Sequence, residues 1–227
     1  MATAAIQITP QEFMRKLMDG ERDIQGTRIP EGQGDFTADR DLFNAFNEYM
    51  RGQDLRSNPV VANGADWKGI HAPGIFLQFI KLPGSDLRGS DLRTAELRRS
   101  DLSDSQLQGA NLSSTNMTVS SLQRADFTDC IMQGVDLYEA GLAGAVFHGA
   151  DLTDAYFMRL NFKGADFTGA KMFNAQFYRA DVRGMIGLET VQGLGTARYH
   201  RLAVTERELN IIDSALRTGP MFDLVKE

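Results

Sequence analysis

Large apolar residues recur every five positions through the middle of the chain. From residue 85 to residue 184 the sequence divides into 20 consecutive five-residue units, and the third residue of each unit is apolar: ten Leu, six Phe, three Met and one Val. Two positions earlier, 16 of the 20 residues are Ala or Ser. The intervals between inward residues therefore alternate between two and three, and an interval of three keeps one face inward only if the chain turns a corner. Each unit is predicted to be a short extended piece followed by a turn.

Glycine positions indicate how many units close one coil. At the last position of the units, glycines form two columns with a 20-residue period, at 69, 89, 109, 149 and 169, and at 84, 144, 164 and 184. A third column contains only Gly74 and Gly134, and the fourth, which includes residues 99, 159 and 179, contains none. Pro73 and Pro83 precede glycines, as a type II turn favours. The pattern predicts four units per coil, and we expect the glycine-free corners to use a turn that suits ordinary residues.

Units such as SDLRG at 85–89 and ADLTD at 150–154 resemble the pentapeptide-repeat family, whose consensus is A-[D/N]-L-x-x. The resemblance covers about 120 of 227 residues, from Ala65 to Gly184. It implies an all-β solenoid, a right-handed quadrilateral β-helix, and the spacing adds an expectation of about six four-sided coils. The right hand is implied by the family and does not follow from the spacing. The first coil departs from the pattern, because Ile70, Ile75 and Ile80 stand where Ala is usual.

Both ends of the chain predict short α-helical segments. Thr9 and Glu12 form a capping box with Pro at the first helical position, and amphipathic stretches run from Asp39 to Arg51 and from Thr205 to Leu216. Solenoid ends expose unpaired backbone, so we interpret these helices as end covers. We expect three regions: an N-terminal helical cap with an imperfect first coil at 1–60, the β-helix at 61–187, and a C-terminal segment with a capping or dimerising helix at 188–227.

Composition narrows the environment and the partners. The chain has 24 basic and 30 acidic residues and a formal net charge of −6, which argues against direct nucleic-acid binding. It lacks the long apolar run of a membrane span and the basic, apolar start of a secretory signal. The single cysteine, Cys130, fits a reducing compartment. We expect a cytoplasmic protein that does not associate with membranes.

The sequence offers no set of residues for catalysis. The three histidines, His71, His148 and His200, are scattered and suggest no metal site. Eight Asp residues stand just before the central residues, and we interpret them as supports for the corner backbone, because Asp bonds readily to nearby backbone groups. We expect no enzymatic activity, no cofactor and no metal.

Two functions fit such a rod. One is a non-enzymatic scaffold that presents a rigid surface to a protein partner. The alternative is implied by the family resemblance, since some pentapeptide-repeat proteins mimic DNA and inhibit or protect a type II topoisomerase (gyrase). The rod from 85 to 184 has 13 acidic and 10 basic residues, whereas a mimic of duplex DNA needs a continuous negative field. The charge balance favours the scaffold.

A candidate partner or dimer surface lies along the glycine-free column. The outward residue after each central residue there includes Tyr138, Met158 and Tyr178, while Tyr156 shares that face and Phe173 occupies the outward site just before it in the chain. Exposed apolar patches mark interfaces. Three occupants are open: a protein partner, a second copy in a homodimer, or the C-terminal segment folding back. The last would use four apolar residues, Tyr199, Leu202, Met221 and Phe222.

Overall fold

The chain forms a solenoid whose successive coils pair in parallel. The computed structural model describes residues 6–216. Through the repeat, parallel bridges join residues 20 apart, as in Asp86 to Gln106 and Asp126 to Val146. Backbone amides of one coil donate to carbonyls of the next, for example from Leu87 to Gln106 at 2.7 Å. The period of the bridges is therefore the period of the glycine columns.

Within residues 6–216, three helices and five short strands accompany these bridges. The helices are α1 (Pro10–Met18), α2 (Arg40–Arg51) and α3 (Glu206–Leu216). The strands are β1 (Ile6–Gln7), β2 (Thr27–Arg28), β3 (Tyr156–Met158), β4 (Gln176–Tyr178) and β5 (Arg198–His200). Two short 3-10 segments, Leu188–Thr190 and Leu194–Thr196, lie between β4 and α3. Strand β1 pairs in parallel with β2, and β3, β4 and β5 form a parallel three-stranded sheet.

The core consists of the repeated inward positions. All 20 central residues between Leu87 and Val182 are buried, as is the residue two positions before each of them. Phe127, Phe147 and Phe167 stack along the axis with ring centroids 4.8 and 4.4 Å apart. Burying one such side chain contributes about 1.5–3 kcal/mol. Because each layer packs on the next, the core extends along the whole stack of coils.

The eight predicted Asp residues do support the corners. Each accepts a hydrogen bond from the backbone amide two residues later, at distances of 2.9–3.3 Å, as Asp86 and Asp91 do. The others are Asp101, Asp126, Asp136, Asp151, Asp166 and Asp181. At Asp86 a further bond from the Arg88 side chain holds the pKa of the carboxyl below its ordinary value. These carboxylates therefore stabilise the backbone of the corners by accepting hydrogen bonds from its amides.

The expectation about the glycine-free corners is wrong. Seven side-chain-bearing residues at that corner have φ between 51° and 61°, in the left-handed region: Phe79, Arg99, Val119, Glu139, Arg159, Arg179 and Arg201. The turn is the one that glycine adopts at the other corners, such as Gly109 with φ of 68°. Coil closure demands a similar bend at every corner, so the backbone does not adapt to the residue. A non-glycine residue in this region costs roughly 1–2 kcal/mol.

The N-terminal end is closed by α1 and α2 packed on an early turn of the solenoid. Residues 23–35 bridge to the first regular coil, with Asp23 opposite Val61 and Asp35 opposite His71, and α2 is inserted between the two partners. The capping box of Thr9 begins α1. Phe13 of that helix meets Trp67 edge to face, with ring centroids 5.2 Å apart. Helix α1 therefore packs directly on the core of the solenoid.

The C-terminal end departs from the 20-residue period. Lys171 bridges Gln192, one residue beyond the period, and Gln176 pairs with Arg198, two residues beyond it. Each 3-10 segment therefore adds one residue to the coil. Helix α3 contacts both segments and buries Ile212. Its Glu208, only 5% exposed, accepts a hydrogen bond from the Gly184 amide at 3.2 Å. Helix α3 thus satisfies a backbone donor of the last regular corner.

Candidate partner-binding face

Strands β3, β4 and β5 build a small, regular sheet on one side of the solenoid. Elsewhere in the repeat the coils meet through isolated bridges, whereas here each strand runs for three residues. We call the outward residues of these strands, with the residue after each strand, the sheet face. Its members are Tyr156, Met158, Arg159, Gln176, Tyr178, Arg179, Arg198, His200 and Arg201. Side chains on neighbouring strands therefore lie about 4.8 Å apart.

Three of the five predicted surface residues are members of the sheet face, and a fourth, Tyr138, adjoins it. Met158 and Tyr178 are register partners, and Tyr138 lies one coil earlier in the same column, since the Glu139 amide donates to the Met158 carbonyl at 3.0 Å. These three side chains are half-buried, and Tyr156 is 39% exposed. The alignment expected from the 20-residue spacing holds in the structure.

Phe173 lies around the corner from the sheet face. Phe173 belongs to the same five-residue unit as Lys171, which bridges Gln192. That unit forms the side of the solenoid that comes just before the sheet face along the chain. The ring is 40% exposed, and Gly193 of the next coil lies directly beside it. Phe173 can extend an interface that wraps the corner, but it is not part of the sheet face.

Tyr138 is held in place by charged neighbours. A hydrogen bond to Glu139 raises the pKa of Tyr138, and the same bond lowers the pKa of Glu139. Glu139 also pairs with Arg159 at 3.0 Å between Oε1 and Nη1. The Arg159 guanidinium lies 5.9 Å from the centroid of the Tyr138 ring. The side chains at this end of the column are therefore restrained before any partner binds.

Tyr178 is restrained by ring contacts. The imidazole of His200 stacks on it with centroids 4.8 Å apart and planes 9° from parallel. The Arg179 guanidinium lies 5.5 Å from the centroid of the same ring. Aromatic and cation–π contacts of this kind fix orientation as well as adding attraction.

Sequence reasoning missed the positive charge of the sheet face. Arg159, Arg179, Arg198 and Arg201 are all exposed, and no Asp or Glu is a member of the face. Among residues 6–216, Arg179, Arg198 and Arg201 form no ion pair. Arginines at 99, 159 and 179 do share the glycine-free column, which is visible in the sequence. Arg198, His200 and Arg201 do not follow the 20-residue spacing, because the last coil has two extra residues.

The described part of the C-terminal segment runs across the end of the solenoid. Tyr199, a proposed cover residue, instead faces inward at 7% exposure and stacks on Phe177 with centroids 5.3 Å apart. Leu202 is half-buried, and the other two proposed cover residues, Met221 and Phe222, lie outside the described residues.

A family model described as pentapeptide repeats matches eight copies in the chain, over residues 77–118, 120–159 and 150–184. The chain belongs to the pentapeptide-repeat family. No curated protein matches this pentapeptide-repeat chain in sequence.

Several solved pentapeptide-repeat structures are similar to it at low identity. QnrB1, a plasmid-mediated fluoroquinolone resistance protein, is 12% identical with a TM-score of 0.37, covering 69% of this chain and 89% of its own. Rfr23 from the cyanobacterium Cyanothece 51142 is 16% identical with a TM-score of 0.28, covering 72% and 96%. HetL from Nostoc sp. strain PCC 7120, involved in heterocyst differentiation regulation, is 19% identical with a TM-score of 0.24, covering 86% and 94%.

The histidines of this pentapeptide-repeat protein have local partners. His71 pairs with Asp91 at 2.9 Å and His148 with Asp166 at 2.8 Å. Within residues 6–216, no group of three or more His, Cys, Asp or Glu residues could hold a metal ion. Burial raises the pKa of the Cys130 thiol to about 12, so this thiol is a poor nucleophile. In the same part of the chain, no helix has the length and apolar character needed to cross a membrane.

Proposed function

We propose that this pentapeptide-repeat protein is a non-enzymatic, cytoplasmic scaffold that binds a protein partner through the sheet face. The surface is carried by a right-handed quadrilateral β-helix of about six coils at 61–187, with the segments 1–60 and 188–227 closing its ends. The observation that carries the proposal is the register pair of Met158 and Tyr178, with Tyr156 on the same face, beside exposed arginines.

The chemistry of these side chains suits an interface. Tyr, Met and Arg are enriched at protein interfaces, and Tyr and Arg dominate the residues whose truncation weakens binding most. Tyr178 already stacks on His200 and has the Arg179 guanidinium 5.5 Å from its ring centroid. Because association must overcome the entropy of ordering side chains, a restrained surface binds with a smaller penalty.

The corner residues of this side add a second reason. At the other three corners glycine alternates with ordinary residues such as Arg124, which also has a positive φ. The column of Arg159, Arg179 and Arg201 contains no glycine, so a side chain projects from this corner at every coil. The three arginines therefore form an unbroken row beside the strands.

The alternative, DNA mimicry toward a type II topoisomerase such as gyrase, has weaker support. Acidic residues dominate the side of the solenoid that contains Asp86, Asp126 and Asp166, but arginines dominate the sheet face. Duplex DNA presents negative charge all around its axis. The charge distribution of this rod therefore favours recognition by one side.

Comparative affinity capture tests the proposal. The protein is immobilised and exposed to a lysate of the organism that encodes it, beside the double variant Tyr156→Ser/Tyr178→Ser. The matched control is Ile131→Ser/Ile186→Ser, which removes exposed apolar residues, 43% and 49% exposed, from other sides of the solenoid. We expect at least one protein to bind the wild type and the control but not the tyrosine variant. Identical captured sets for all three proteins would contradict the proposal.

A further inference from the structure

We infer that the segment bound by the sheet face is an acidic α-helix that lies along the solenoid axis. This inference rests on the proposed function, because it names the chemistry of the partner for the same surface. It combines the charge of the face, the spacing of its columns and the position of its apolar residues.

Charge selects an anionic partner segment. Arg198 lies in β5, and Arg159, Arg179 and Arg201 directly follow β3, β4 and β5. Of these four arginines, only Arg159 pairs with a described carboxylate. The three others form no ion pair with residues 6–216. A surface of one sign attracts the opposite sign and repels like charges, which steers both encounter and register.

Spacing selects a helix over an extended strand. Arg159, Arg179 and Arg201 repeat along the axis at about 4.8 Å per coil. An α-helix parallel to that axis presents a new residue on the same side about every 5.4 Å. An extended strand presents one about every 6.7 Å. Over three coils the helix deviates by roughly 1.2 Å and the strand by roughly 3.8 Å, and only the first is easily absorbed by arginine side chains.

The apolar residues of the sheet face define a second stripe of contacts on the bound helix. Met158 and Tyr178 precede Arg159 and Arg179 by one residue, so the apolar column runs beside the arginine column. Residues three and four apart lie together on a helix surface. A helix with Asp or Glu along one stripe and Leu or Met along the adjacent stripe therefore matches both columns at once.

Synthetic peptides provide a direct test by fluorescence anisotropy. The probe is a fluorescein-labelled, alanine-based helical peptide with one Glu stripe and one adjacent Leu stripe, and the matched peptide has Lys in place of every Glu. We expect the Glu peptide to bind the full chain, with an affinity that falls as salt is raised, and the Lys peptide to bind at least about ten-fold more weakly. Equal binding of the two peptides would overturn the inference.

Charge reversal on the protein locates the contact. The variant Arg159→Glu/Arg179→Glu/Arg201→Glu should lose about ten-fold or more in affinity for the Glu peptide and gain affinity for the Lys peptide. The control Lys68→Glu/Lys163→Glu/Lys171→Glu makes the same change in net charge on other sides of the solenoid and should bind as the wild type does. If the control loses as much affinity as the arginine variant, the contact is not on the sheet face and the inference is wrong.

Two further results separate this inference from its competitors. Tighter arginine-dependent binding of a fluorescein-labelled oligothymidylate than of the Glu peptide would overturn it in favour of a nucleic acid. A captured protein that needs Tyr156 and Tyr178 but tolerates the arginine reversals would overturn the acidic helix and leave the proposed function standing. A captured protein that tolerates both sets of changes would overturn both.

Discussion

Left-handed residues with side chains recur at every coil of the glycine-free column, both inside and outside the sheet face. Val119 shows the strain most clearly, because a β-branched residue at φ of 59° is an outlier that few proteins tolerate. Its side chain is 36% exposed and forms no part of the sheet face. Arg179 occupies the equivalent position three coils later in the same column, within the sheet face. Position in the column, and not turn geometry, distinguishes the two.

Opposite substitutions at two corners test this view of the backbone. Val119→Gly should raise the free energy of unfolding by about 1 kcal/mol, because it relieves strain that exceeds the added freedom of the unfolded chain. Gly109→Ala should lower it by about 1 kcal/mol, since its φ is 68° and no atom lies within 4 Å of the new Cβ, which isolates the backbone effect. Denaturant midpoints measure both changes. A destabilised Val119→Gly protein would show that strain at these corners is not significant.

Elements differ in how far the sequence predicts them. Thr9 and Glu12 predict the start of α1 because capping is local chemistry, and the repeated Leu and Phe residues predict the buried column because the period is regular. The insertion of α2 between an early turn and the first regular coil is a tertiary arrangement with no periodic signal. The 3-10 segments after Gly184 shift the register by one and two residues, which hides the alignment of His200 with Tyr178.

The candidate surface was predictable from the sequence only where its residues follow the 20-residue period. Tyr138, Met158 and Tyr178 follow the 20-residue period, so their alignment can be read from the sequence. The exposure of Arg198 and Arg201 on the same side requires knowledge of the shifted register. The inward orientation of Tyr199 depends on it as well, since that residue takes the central position of the last coil.

Insertions within the repeat test the register of the whole element. One residue inserted after Gly149 should destabilise the protein far more than five residues inserted there, because one residue moves every later central side chain out of the core until the chain recovers. Five residues add a complete unit and keep the inward pattern. Thermal unfolding of the two variants beside the wild type measures the difference. If the two variants melt at the same temperature, the register does not control stability.

The sides of the solenoid differ in how their charged residues are paired. Aspartates support corners around the solenoid, and several of them are paired with neighbouring arginines, as Asp86 is with Arg88 and Asp181 with Arg183. The sheet face differs because its arginines are mostly unpaired within the described chain and lie beside aromatic residues. A stack in which each coil contacts only its neighbours keeps these side chains in fixed columns. We therefore expect one side of the rod to recognise a partner.

Site-specific photo-crosslinking tests that claim most directly. A photoreactive phenylalanine analogue replaces Tyr156 on the sheet face or, as the control, Ile131 on another side; the two residues are 39% and 43% exposed. Each protein is produced in the organism that encodes it and irradiated, and covalent adducts are identified by mass spectrometry. We expect a defined protein adduct from position 156 and no adduct with that protein from position 131. The same adducts at equal yield from both positions, or none from position 156, would contradict it.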